Sequence, residues 1–265
     1  MKARINDIST ILKCPETSAD IIIKDNVAET LSGLKYNIVD GIIDLTAGIQ
    51  SSALDYTGKS YDKVSETGYD RFVSSPLIMK CLWGVSLNKA YSIYDKLYDY
   101  PDGLFLDVPC GTGLFSSQLY LSKPDSTFVA VDYSMGMLKS AKKRCKQSDI
   151  HNVIFIRADV DNLPFKINSF DACFSINGFH VFPNPGKAAL EISAALKKNA
   201  VMAVIAACSG ERWLSDLIIR HVMLPRGLFN SKLPVSAYTT LFEAAGFSVH
   251  IETMGAMMYA NCKKL

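Results

Sequence analysis

The chain has 265 residues, 49% of them hydrophobic, with 28 lysines and arginines against 26 aspartates and glutamates. That apolar share belongs to a globular chain, and a net charge of +2 supplies no electrostatic footprint for a nucleic acid or an anionic membrane. The longest apolar run, Ala200–Cys208, is too short to span a bilayer, and MKARINDIST lacks the apolar core of a signal peptide, so a cytoplasmic protein without a membrane span is expected.

Residues 1–50 read as a small β segment. Ile21–Ile23, Tyr36–Val39 and Ile42–Leu45 are short apolar runs, and Asp40-Gly41 is a hairpin turn signal between the last two. The frame of Cys14-Pro15 followed by LKYNIVDGIIDL resembles the small zinc-ribbon domains. Such a domain needs paired cysteines, and Thr17 stands where the partner of Cys14 belongs, with no further cysteine before Cys81. A degenerate, metal-free version of that segment is therefore expected. Residues 51–100 are rich in tyrosine, and Ser75-Pro76 marks a helix start, with Leu87, Tyr91, Tyr94 and Tyr98 at helical spacing behind it.

Residues 101–265 carry the alternation of strand and helix that builds a parallel sheet. Leu104–Val108 is a strand-length apolar run that includes Asp107. Pro109, Cys110, Gly111, Thr112 and Gly113 follow as a tight turn, and then a stretch of helical spacing. Phe128–Val131 is a second strand closed by Asp132, at about the 20-residue distance from the glycine turn at which an acid meets a ribose. Ser134 is placed to cap the next helix, whose buried side is marked by Met135, Leu138 and Cys145. Val153–Ile156, Phe170–Ile176 and Ala200–Cys208 are the third to fifth strands. Asn199 is suited to the left-handed turn that opens the fifth. Residues 209–233 form an insertion of helical character, and Phe247–Thr253 and Met257–Asn261 are two closing strands.

The stretch Asp107-Val108-Pro109-Cys110-Gly111-Thr112-Gly113 resembles motif I of the class I S-adenosylmethionine-dependent methyltransferases, with Pro109 where the usual form has glycine. The resemblance implies a Rossmann-like α/β fold: a mostly parallel sheet of about seven strands with helices on both faces, joined here to the small N-terminal β segment and a helical lid. It also implies S-adenosylmethionine as cofactor and a small-molecule acceptor, with an RNA base or a catalytically silent partner-binding role as alternatives. The cofactor would be held by Asp107, Pro109, Gly111, Gly113, Asp132 and Tyr133, by Asp159 and Val160 at the adenine, and by Ser175 and Asn177 at the methionine portion. Tyr61 in the lid would reach the same end, and residues 209–233 would form a second wall of the acceptor pocket. His180, in the loop after the fourth strand, is the candidate proton acceptor, since a histidine is the side chain best matched to that role near neutral pH.

Overall fold

A computed structural model describes residues 5–24, 27–46, 70–71, 74–86, 99–231 and 233–265. Among them eleven strands form one sheet. They are β1 (Ile21–Lys24), β2 (Val27–Thr30), β3 (Lys35–Val39), β4 (Ile42–Asp44), β5 (Leu104–Asp107), β6 (Thr127–Asp132), β7 (Val153–Arg157), β8 (Phe170–Ile176), β9 (Leu196–Ala207), β10 (Phe247–Met254) and β11 (Met257–Lys264). Their order is β1-β2-β3-β4-β7-β6-β5-β8-β9-β11-β10. The helices used below are α1 (Ser116–Ser122), α2 (Met135–Gln147), α3 (Pro185–Ala195), α4 (Trp213–Ile218) and α5 (Val235–Ala244).

Seven of these strands, β7 to β10 in spatial order, are the expected sheet. β7, β6, β5, β8 and β9 are parallel, and β11 and β10 close the far edge antiparallel. Alternate residues of the strands feed two cores. Leu106, Val129, Ile154 and Val204 face α3 and α5, while Phe105, Phe128, Phe155 and Ile205 face α1 and α2. Both faces are covered, which is why the parallel strands read as near-continuous apolar runs.

The sheet is longer than the sequence suggested, because the N-terminal strands are not merely packed on it. β4 pairs in parallel with β7, Ile42 opposite Phe155 and Asp44 opposite Arg157, and β3, β2 and β1 continue outward as an antiparallel meander. Asp40 (φ 52°) and Gly41 (φ 68°) make the turn between β3 and β4, with both central residues left-handed as a two-residue hairpin of that hand requires. Inside the meander the Cys14 thiol lies 3.1 Å from the Tyr36 hydroxyl and accepts the Thr17 backbone N–H at 3.4 Å. Among the described residues no group of three or more His, Cys, Asp or Glu is placed to hold a metal ion, and no helix is long and apolar enough to cross a membrane.

β9 starts at Leu196, earlier than its apolar run, because Leu196 pairs with Phe170 before the chain loops out and re-enters at Val201 opposite Ala172. Asn199 (φ 62°) makes that excursion. Beyond β9, α4 and the turns from Ile219 to Arg226 pack on the helical stretch 76–83, around Leu82, Ile219, Met223 and Phe229. Most of the expected aromatic lid, including Leu87, Tyr91, Tyr94 and Tyr98, lies outside the described residues.

Candidate active site

The strands β5, β6, β7 and β8 all end on one side of the sheet, and the strand order reverses between β5 and β8. That reversal opens a crevice at the carboxyl ends, where ligands of such sheets bind. A cleft lies there, holding about 930 Å³ free of protein atoms when its open mouth is counted. The glycine turn, the end of β6, the loop after β7 and the loop after β8 each supply part of its wall.

The glycine turn is held from below. Cys110 N–H donates to the Val131 carbonyl at 2.8 Å, and Gly113 N–H closes on the Cys110 carbonyl at 3.0 Å. Gly111 adopts φ +55°, and a side chain there would meet nothing within 4 Å, so it would project into open space. A ligand can approach the backbone at this point without displacing protein atoms. Asp132 is 9% exposed and lines the cleft. Its Oδ2 accepts the Gly111 N–H and its Oδ1 accepts the Ser134 N–H, both at 2.9 Å. Ser134 in turn caps α2 by accepting the Met137 N–H at 3.1 Å. The carboxylate is therefore fixed in place at the edge of the cleft, with two backbone N–H groups among its donors.

Of the residues singled out in the sequence, Pro109, Gly111, Asp132, Tyr133, Val160 and Asn177 line the cleft. Asn177 sits at φ 59° and its N–H donates to the Ile205 carbonyl at 2.7 Å, which turns the loop after β8 across the cleft. The other candidates are not among the described lining residues. Asp107 lies under the turn, fully buried, where it accepts the Tyr120 hydroxyl, and Oδ1 has no partner. Burial, with the charge of Asp132 assisting, raises its pKa to about 7. Gly113 (φ +69°) faces α2, with Ala141 Cβ 3.4 Å from where its own Cβ would be. Asp159 caps the short turn Val160–Asn162 through the Asp161 N–H at 2.8 Å, and its neighbours Ala158 and Val160 form the wall instead. Ser175 is fully buried with its hydroxyl unpaired. Tyr61 lies outside the described residues.

His180 is the largest departure. It does not line the cleft. Its Nδ1 accepts the Ala207 N–H at 3.3 Å, its ring stacks on Phe229 at 4.2 Å, and its carbonyl accepts the N–H groups of Asn230 and Ser231. Burial drives its pKa down to about 3. This histidine ties the loop after β8 to the 209–233 insertion, and that geometry suits a neutral, ordering ring rather than a proton acceptor.

Sequence reasoning missed Gly178. A Cβ there would come 2.2 Å from Pro109 Cδ, 2.7 Å from Ser175 Oγ and 3.0 Å from Phe182 Cζ. The loop after β8 thus packs flush against the proline that replaces the usual glycine. Only the adjacency of Asn177 and Gly178 hinted at it. The apolar wall made by Phe115, Met137, Val181, Phe182 and Pro183 was also unread, since each belongs equally well to a core pattern.

Comparison with known proteins adds the family. Residues 106–204 match the family described as "Methyltransferase domain". An uncharacterized chloroplastic methyltransferase of Arabidopsis thaliana is 38% identical over 103 residues, covering 37% of this chain and 29% of that protein. A demethylmenaquinone methyltransferase of Listeria welshimeri is 30% identical over 132 residues, covering 48% of this chain and 56% of that protein. The matches thus span less than two thirds of either relative's own length. The crystal structure of an S-adenosylmethionine-dependent methyltransferase from Aquifex aeolicus superposes with a TM-score of 0.55 at 17% identity, covering 75% of this chain and 98% of that one, which speaks to the fold alone.

Proposed function

From a chain whose residues 106–204 form a class I S-adenosylmethionine-dependent methyltransferase domain, we propose a methyltransferase acting on a small, largely apolar acceptor. The observation that carries this reading is the placement of Asp132 beside Gly111. A fixed carboxylate meets a backbone open to close approach, at the strand ends where the fold binds nucleosides. The residues present fit the cofactor. Asp132 would accept its ribose hydroxyls, Gly111 would admit the sugar, and Tyr133 and Val160 would flank the adenine. Asn177 and the backbone of the loop after β8 would border the methionine portion.

When bound, S-adenosylmethionine supplies an activated methyl group on a sulfonium. The chain's own task is then alignment of the acceptor, which is worth up to roughly 7–11 kcal/mol when the reacting atoms are held in line. The wall of the cleft is largely apolar, which favours an apolar substrate. Phe115, Ile176, Val181, Phe182 and Pro183 line it, and among the described lining residues Asp132 is the one carboxylate, with no lysine, arginine or histidine. A polyanionic RNA acceptor would call for cations there. The quinone named for the Listeria relative has the apolar character that such a wall would take.

The test has two arms. Calorimetry with S-adenosylhomocysteine should show binding that Asp132→Ala removes. Incubation with methyl-labelled cofactor and cell extract should then place label in the organic-soluble small-molecule fraction. Label in RNA, or no transfer by a protein that binds the cofactor, would overturn the acceptor reading.

A further inference from the structure

We propose that Asp44 and Asp70, upstream of β5, are positioning residues for the cofactor, acting through Arg157 and Arg144 on the two loops at the adenosine end of the cleft. The inference rests on the cofactor reading above. It concerns residues outside that reading, two of them upstream of the matched domain.

The two arrangements have the same logic. Arg157, at the end of β7, donates from Nε to the Tyr133 carbonyl at 2.9 Å and from Nη1 to Asp44 Oδ2 at 3.1 Å, and its guanidinium lies over the Tyr133 ring, 5.4 Å from the centroid. Asp44 is itself fixed, because its Oδ1 accepts the Thr46 N–H at 3.1 Å and the Thr46 hydroxyl at 2.6 Å. Leu45 N–H donates to the Arg157 carbonyl at 2.9 Å, which locks β4 to the strand that carries the arginine. On the other loop, Arg144 of α2 donates from Nε to the Thr112 carbonyl at 3.1 Å and from Nη2 to Asp70. The Thr112 hydroxyl donates to Asp70 Oδ1 at 2.5 Å. Thr112 and Tyr133 both line the cleft, as Asp132 does.

In each case one planar guanidinium serves two acceptors, a loop carbonyl and a carboxylate brought from far upstream. The fork geometry makes this an arginine task, since one ammonium cannot hold both directions at once. Without its carboxylate, each long side chain regains rotamers and the loop it holds loses a fixed tie. The cofactor must then order that loop when it binds. The effect falls on nucleoside affinity rather than on the reacting atoms, so these are positioning residues.

The experiment uses the full chain and S-adenosylhomocysteine, with the dissociation constant and the thermal midpoint measured together. Asp44→Ala and Asp70→Ala should each weaken binding by about three- to tenfold, and the double variant by roughly the product, since the two pairs share no partner. Asp44→Glu and Asp70→Glu should recover part of the loss. Arg157→Lys should not, because the lysine keeps the charge but not the fork. A wild-type protein that binds no S-adenosylhomocysteine overturns the cleft reading and this inference together. Wild-type binding that the alanine variants match, whether or not their midpoints fall, overturns this inference alone and leaves these aspartates as packing residues.

Discussion

The ends of β6 and β8 face the same cleft, yet they treat their polar residues in opposite ways. At the end of β6 the Asp132 carboxylate points into the cleft because two backbone N–H donors, from Gly111 and Ser134, are waiting there to hold it. At the end of β8 the polar side chains of Ser175 and His180 are turned inward, and the wall is left to the Asn177 loop and to Val181, Phe182 and Pro183. Position after a strand says that a residue can reach a cleft. At Asp132 and His180 the supply of partners decides whether it does, whereas Ser175 is buried without one.

The sharpest way to break this contrast is at Asp132. Losing two hydrogen bonds to a charged acceptor, each worth about 1.5–3 kcal/mol, predicts that Asp132→Ala binds S-adenosylhomocysteine at least about a hundredfold more weakly. Because the same carboxylate pins Gly111 and Ser134, its thermal midpoint should fall as well, by several degrees at roughly 2–4 °C per kcal/mol for a chain of this size. Unchanged affinity in calorimetry would remove Asp132 from the site.

On the β8 side the corresponding test is Gly178→Ala. Its φ is not in the left-handed region, so the cost is space alone, and Pro109 and Ser175 must yield, with Phe182 at the limit of contact. Overpacking of this kind costs about 1–3 kcal/mol. Chemical denaturation should show that loss, together with a weaker cofactor constant, since Pro109, the residue most closely met, lines the cleft. A variant with wild-type stability would mean that the loop is not held flush against the turn.

A smaller effect is expected at His180. A general base contributes about 10²–10⁴ in rate, whereas His180→Asn keeps an acceptor for the Ala207 N–H and should keep turnover within a few-fold. A hundredfold drop in kcat at unchanged cofactor affinity would restore the histidine to the chemistry.

Last comes the pH dependence. The folded pKa of Asp107, about 7, lies above its ordinary 3.8, so between those values the native state binds a proton that the unfolded chain has released. Its contribution to stability is present at low pH and is lost as pH rises toward 7. His180 works the other way. Its folded value of about 3 lies below the ordinary 6.5, so stability is lost as pH falls through that window. Asp107→Asn removes the first slope and leaves the second. Its melting temperature should match or exceed the wild type at pH 8 and fall more steeply on acidification to pH 5. Parallel curves for the two proteins would show that Asp107 does not titrate there.

Much of the scaffold was legible because its signals are local. Apolar runs at strand length, the Asp40-Gly41 turn, the Ser134 cap and the glycine turn each carry their structure in a few adjacent residues. Asp132 was legible for the same reason: a strand, a glycine turn and a spacing announce it. What resisted was anything set by contacts between distant segments. The inward turn of His180 depends on Phe229 and Ala207, the need for glycine at 178 depends on Pro109, and the parallel pairing of β4 with β7 joins strands more than a hundred residues apart. None of these leaves a periodic trace. Asp159 was harder to read for a subtler reason, since a carboxylate that caps a turn and one that binds a ligand look alike until the N–H donor is located.

The parallel seam between β4 and β7 also bears on how this protein behaves when cut. In the intact chain β7 is an interior strand, with Ile42, Ile43 and Asp44 beside Phe155, Ile156 and Arg157. A fragment starting after residue 46 would present a bare row of amide and carbonyl groups along a very apolar strand, an open template for sticking to other chains. Clumping of such a trimmed protein would follow from its unpaired border even where every residue of the cleft is retained.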